Sequence, residues 1–133
     1  MIHTYKDLFV WQKAIILAVE TYKITENFPK SELYGITSQM RRAAVSIPSN
    51  IAEGRGRGTK KDYVNFLRIA YGSASELETQ LTIVQKLPFG NKLDCSTMES
   101  LLSEVMRMLN SMIKKLNPPN EAKEAHEATH PIL

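Results

Sequence analysis

Two stretches of the sequence have the residue types for chemistry. The first is His126-Glu127-Ala128-Thr129-His130, a literal H-E-x-x-H. On a helix, that spacing points two imidazoles at one zinc ion and leaves the glutamate to activate water. Its context argues against a metalloprotease. Pro131 follows at once, three residues remain after His130, and no third ligand can follow at the usual spacing. Incidental metal binding by this segment is the better of the two metal readings.

The second stretch is Gly54-Arg55-Gly56-Arg57-Gly58-Thr59-Lys60-Lys61. It is neither G-x-x-x-x-G-K-[ST] nor G-x-G-x-x-G, and no strand precedes it, so it does not read as a nucleotide-binding loop. Its N–H groups lead into a helix, and a helix N-terminus favours anions. Arg55, Arg57, Lys60 and Lys61 add full charges there. The phosphate backbone of a nucleic acid is the partner this chemistry suits; the bland alternative is a solvated basic turn. Arg41, Arg42 and Arg68 extend the candidate basic surface, provided that the fold brings them together. Nearby aromatic residues are few (Tyr63, Phe66 and Tyr71), so phosphate contacts are expected rather than reading of base edges.

Other polar residues point away from catalysis. Ser46, Asn50 and Glu53 fall on one helical stretch, and Ser73, Glu76, Glu78 and Gln80 on another. A di-iron bundle needs inward carboxylates and Glu-x-x-His pairs. No histidine lies between residues 4 and 125. Capping, interhelical hydrogen bonds or subunit contacts are the expected roles of these side chains. Cys95 is a lone thiol with no histidine partner, so it reads as incidental rather than nucleophilic. No catalytic residue, cofactor or metal site is expected, and the protein reads as a non-enzyme.

Composition sets the frame for these residues. The chain has 133 residues and 15.1 kDa, which fits one domain able to bury a core without disulfides. No apolar run reaches the ~18–20 residues that a membrane span requires. The first residues do not have the design of a signal peptide. With a single cysteine, the reducing cytoplasm is the expected location. The net charge of +3 is unevenly spread. Residues 117–133 carry one lysine against three glutamates, whereas residues 41–68 carry seven cations against two acids. A local basic patch argues for an anionic partner better than a global charge does.

The elements that must position this patch are helices. Leu8, Trp11, Ile15, Ala18 and Tyr22 form one stripe over residues 5–26, and Val10, Ala14, Leu17, Thr21 and Ile24 form a second beside it. Thr4 and Asp7 resemble a capping box. A second helix is expected over 31–54 on Ile36, Met40, Ala43, Ile47 and Ile51, with Gly35 breaking its first turn and Pro48 kinking or ending it. A third runs over 60–87 on Tyr63, Leu67, Ala70, Ala74, Leu77, Leu81 and Val84, started by Thr59 and Asp62. A fourth follows Ser96, capped with Glu99, on Met98, Leu102, Val105, Leu109, Met112 and Leu116. Short connections between them predict an all-α, antiparallel up-down-up-down four-helix bundle over 1–116, with a mobile acidic tail over 117–133. Phe66, Ile69 and Ile83 lie off the main stripe of the third helix; they and the doubled first stripe predict a wide core or a self-association surface.

Several runs together carry a family resemblance. They are Phe9-Val10-Trp11-Gln12-Lys13-Ala14, Phe28-Pro29, Glu32-Leu33-Tyr34-Gly35, Gln39-Met40-Arg41-Arg42-Ala43-Ala44-Val45-Ser46-Ile47, Asn50-Ile51-Ala52-Glu53-Gly54, Phe66-Leu67-Arg68-Ile69-Ala70-Tyr71-Gly72-Ser73 and Glu76-Leu77-Glu78-Thr79-Gln80-Leu81. In this order, over about residues 5–116, the chain resembles the bacterial four-helix-bundle family encoded in intervening sequences of large-subunit ribosomal RNA genes. That family is sometimes labelled ribosomal, although it is not a standard ribosome component. The resemblance implies a homo-oligomer, a ring-like pentamer. The chain is also similar to the accessory variability proteins of diversity-generating retroelements, basic pentameric bundles that bind a reverse transcriptase and nucleic acid. Ser46, Asn50, Glu53 and Glu76 match the family pattern, which assigns them no catalytic role. Two functions follow as expectations: a nucleic-acid-binding accessory module of ribonucleoprotein type, or an oligomeric protein-interaction scaffold without nucleic-acid affinity.

Overall fold

The structure is a computed structural model and describes residues 2–118. The described residues are all-helical, with four long helices and no strand: α1 Phe9–Thr25, α2 Ser38–Gly56, α3 Lys60–Lys86 and α4 Ser96–Leu116. The acidic segment over 119–133, and with it His126 and His130, lies outside the described residues.

The chain enters α1 through a separate 3-10 turn, Tyr5–Asp7. The Thr4–Asp7 capping box forms there. The Asp7 carboxylate accepts from the backbone of His3 and Thr4 at 2.9 and 3.2 Å, and the Thr4 hydroxyl accepts from Lys6 at 2.9 Å. Those bonds hold the Asp7 carboxyl below its usual range. Leu8 then adopts extended backbone, so the helix expected over 5–26 is two pieces. Of its two stripes, Val10, Ala14, Leu17, Thr21 and Ile24 are buried, while Ile15 and Tyr22 of the other stay exposed.

The second expected helix also begins differently. A 3-10 turn, Lys30–Glu32, runs into a π turn, Leu33–Thr37, with Gly35 at non-helical φ −110° and ψ −116°. The break expected at Gly35 is present. Pro48, by contrast, does not end α2, which continues to Gly56. Proline removes one N–H and with it one backbone hydrogen bond. On the following turn, the Ser49 hydroxyl donates to the Val45 carbonyl at 2.8 Å, and the Asn50 amide donates to the Ser46 carbonyl at 2.8 Å.

The turn into α3 is set by Gly58, whose φ of +88° favours glycine. Thr59 then caps α3 by accepting from the Asp62 N–H at 3.1 Å. At the other end, a methyl group on Gly90 would run into the Val84 carbonyl and side chain. Gly90→Ala is therefore expected to cost about 1–3 kcal/mol through forced backbone displacement, visible as a lower midpoint in thermal melting. An unchanged midpoint would refute this.

The capping box expected from Ser96 and Glu99 is not formed. Asp94 takes the role, accepting from the Ser96 hydroxyl at 2.7 Å and its N–H at 3.1 Å. These two bonds hold the Asp94 carboxyl below its usual range. This contribution is present above the ordinary carboxylate pKa and is lost as pH falls through the lowered value. Glu99 instead accepts from the Gln85 side chain on α3 at 2.7 Å.

The core lies between the four helices. Leu17, Met40, Ile47, Ile51, Leu67, Leu77, Met98 and Leu109 are fully buried in it. Contacts pair the end of one helix with the start of the next: Arg41 reaches back to Thr25, Gly54 lies against Phe66 and Tyr63, and Gln85 meets Glu99. Midway along α2 and α3, Ser46 meets Ser73. Lys13 on α1 pairs with Glu104 on α4 at 3.4 Å, joining the first and last helices.

Candidate nucleic-acid interface

The basic residues fall into two groups at opposite ends of α2. Arg41 and Arg42 lie on its first turn. Arg55 lies on its last, and Arg57, Lys60 and Lys61 follow in the turn and the start of α3. Fourteen residues of helix separate Arg41 from Arg55, a rise of ~21 Å. Arg68 lies about two turns along α3 from Lys60. The seven cations therefore do not form one cluster.

The α2–α3 end is built by close helix packing. A Cβ on Gly54 would lie 2.7 Å from the Phe66 Cβ, so only glycine lets the two helices approach this closely. Tyr63 is half-buried there. Burial pushes its phenol pKa up, and the Arg55 charge pulls it back. Arg57 is engaged on both sides: its Nε lies 3.2 Å from Glu53, and its guanidinium stands 5.0 Å above the Phe66 ring. Arg55, Lys60, Lys61 and Arg68 are exposed and have no ion-pair partner among the described residues. Their charges are available to a polyanion.

The other end is a cleft of about 580 Å³ lined by Tyr22 of α1, the π turn and the first two turns of α2. Arg41 is fixed in its wall. Its Nε donates to the Thr25 hydroxyl at 2.8 Å, its Nη2 lies 3.3 Å from Glu26, and its guanidinium stacks 4.6 Å over the Tyr22 ring. Sequence spacing could not reveal this, because the partners are 15 and 16 residues away. Arg42 is exposed and has no ion-pair partner among the described residues. Thr37 also lines the cleft, and its buried hydroxyl has no partner. An orphaned buried hydroxyl costs ~1–3 kcal/mol. Tyr34 was not among the residues singled out from the sequence for binding. The signal for it was an aromatic residue directly before a helix-breaking glycine.

Several of the polar residues have structural partners, although the buried Gln80 side-chain oxygen has none. The Ser46 and Ser73 hydroxyls share a hydrogen bond of 2.9 Å between α2 and α3, and the Asn50 amide donates to the Ser46 hydroxyl at 2.9 Å. Ser73 thus turns the run of small residues Gly72-Ser73-Ala74-Ser75 on α3 toward α2 within the chain. Glu53 pairs with Arg57, whereas Glu76 is exposed. The Cys95 thiol is buried, and burial, with the charges of Glu99 and Asp94, pushes its pKa up, against a role as nucleophile. No group of three or more potential metal ligands occurs among the described residues. No described helix is long and apolar enough to cross a membrane.

Comparison with known proteins agrees with the ordered motifs. No curated protein matches the chain. The model of the 23S rRNA-intervening sequence protein family matches residues 6–111, which takes in both basic groups, the cleft between α1 and α2, and the Ser46–Ser73 contact. The chain belongs to the 23S rRNA-intervening sequence protein family.

Proposed function

We propose that this protein is a non-catalytic, homo-oligomeric helical module of the cytoplasm that holds the phosphate backbone of RNA or DNA on its basic α2–α3 end. It acts as an accessory factor in a ribonucleoprotein, with a reverse transcriptase as one candidate partner. One observation carries this reading. Arg55, Lys60, Lys61 and Arg68 are exposed without ion-pair partners among the described residues, around a turn held rigid by Gly54 against Phe66. Unpaired cations around the junction of α2 with the N-terminus of the 27-residue α3 suit a polyanion. The end-to-start contacts between successive helices support an up-down-up-down arrangement. The test is fluorescence anisotropy with a structured RNA at low and high salt. Binding at ~50 mM salt that weakens steeply by ~200 mM is expected, because counterion release drives backbone contacts. No complex at low salt would leave the scaffold reading.

Self-association rests on the outer face of α1. Phe9, Ile16 and Val19 are 74%, 49% and 50% exposed, and Ile15 and Tyr22 continue the face. An apolar helix face of this extent marks an interaction surface. It also favours the second reading, an oligomeric scaffold without nucleic-acid affinity. A ring-like pentamer requires two different complementary surfaces on each copy, because only a head-to-tail interface closes into a ring. Ile16→Glu combined with Val19→Glu is expected to reduce the light-scattering mass to that of one chain while leaving the helical spectrum intact. A wild-type protein already monomeric at micromolar concentration would overturn self-association.

A further inference from the structure

The geometry points to the cleft between α1 and α2 as a pocket for a single unpaired nucleotide of a bound strand, its base stacked on Tyr34 and its phosphate held by Arg42. This inference rests on the nucleic-acid reading above and assigns that strand a second contact, distinct from the basic turn. Tyr34 is 95% exposed, although it is a large aromatic residue in an ordered turn. No core packing accounts for its place. Leu33 and Val45 add apolar surface beside it, and the cleft they border holds about 580 Å³. That volume is within the usual range for small-molecule sites.

The two arginines of the cleft differ in state. Arg41 is tied to Thr25, Glu26 and the Tyr22 ring, so it shapes the wall. Arg42, its chain neighbour, projects about 100° away and has no ion-pair partner among the described residues. A guanidinium without an ion-pair partner and an exposed aromatic ring lining one cleft offer one anion contact and one stacking face, which match the phosphate and base of a nucleotide. Ser38 and Ser46 also line the cleft. Thr37 packs beneath the cleft: it is 3% exposed, and its hydroxyl is closed off from solvent. The non-helical backbone at Gly35 interrupts the helix just before it. Bases within a duplex are stacked and cannot enter, so the pocket selects loops, bulges or single strands.

The test compares two labelled RNAs of equal length: a hairpin with an unpaired loop and a blunt duplex. The wild-type chain is expected to prefer the hairpin. Tyr34→Ala and Arg42→Gln each change an exposed residue and leave the core untouched. Each is expected to weaken hairpin binding about tenfold, within the range for loss of one base–aromatic stack in the first and of one charge-assisted phosphate contact in the second, and to leave duplex binding unchanged. Tyr34→Phe keeps the ring and is expected to restore the preference. Unaltered hairpin affinity in Tyr34→Ala, or equal losses for both RNAs, would overturn the nucleotide pocket while leaving the backbone reading intact. Failure of the wild type to bind either RNA would instead remove the backbone reading and the pocket with it.

Discussion

Leu77→Asp is expected to leave the chain without a cooperative thermal transition at 25 °C and with a largely lost helical circular-dichroism signal. Leu77 is fully buried near the middle of α3, in the cluster that includes Leu17, Met40, Ile47 and Leu109. Truncating a buried leucine to alanine alone costs ~2–5 kcal/mol through lost transfer energy and the cavity left behind. Aspartate adds a group that must stay ionised without a partner or be protonated in an apolar site, a further cost of several kcal/mol. Whole domains are stable by only ~5–15 kcal/mol. The sum therefore reaches the total stability of a chain of this size. Leu77→Ala is the graded control, expected to melt cooperatively at a lower midpoint. A near-normal melt for the aspartate variant would mean that α3 does not face the core as described.

The core of α3 was legible in the sequence because its periodicity has one solution. Leu67, Ala70, Ala74, Leu77, Leu81 and Val84 are all buried, and the flanking residues are mostly polar. In α1 periodicity had two solutions. Both stripes are apolar, and only packing against α2 and α4 decides that Val10, Ala14, Leu17, Thr21 and Ile24 turn inward. Local start signals had the same limit. Thr4 and Thr59 cap as their spacing predicts, yet Asp94 displaces the Ser96–Glu99 box because its carboxylate reaches both donors of Ser96. The cleft was the least legible part. It joins Tyr22, Tyr34 and Arg42 across a π turn, and no pattern of residue types marks a helix that changes its hydrogen-bond register. The basic turn was legible in composition. The separation of Arg41 and Arg42 from it follows from the uninterrupted course of α2 through Pro48.

That separation gives the charge-neutralised variant Arg55→Gln, Arg57→Gln, Lys60→Gln and Lys61→Gln its meaning. Its expected effect is loss of RNA affinity on the order of 10²-fold or more at low salt, with a slope of log affinity against log salt shallower by about 3. Each phosphate contact removed takes ~0.7–0.9 from that slope. Four substitutions thus give a value near 3, reduced somewhat because Arg57 already shares its charge with Glu53. The fold should survive, since all four side chains are exposed and the Glu53–Arg57 surface pair is worth ~0–1 kcal/mol. Arg41→Gln is the discriminating control. Its guanidinium is held by Thr25, Glu26 and Tyr22, so its loss should lower the melting midpoint and leave the salt slope nearly unchanged. If the quadruple variant binds RNA with the wild-type slope, the α2–α3 end does not meet the phosphates. If Arg41→Gln changes the slope as much as the four together, the strand runs along the opposite end of α2. A slope that responds to the turn and not to Arg41 places the backbone at the junction of α2 and α3, where Gly54 brings the two helices together and Arg55, Lys60, Lys61 and Arg68 have no ion-pair partner among the described residues.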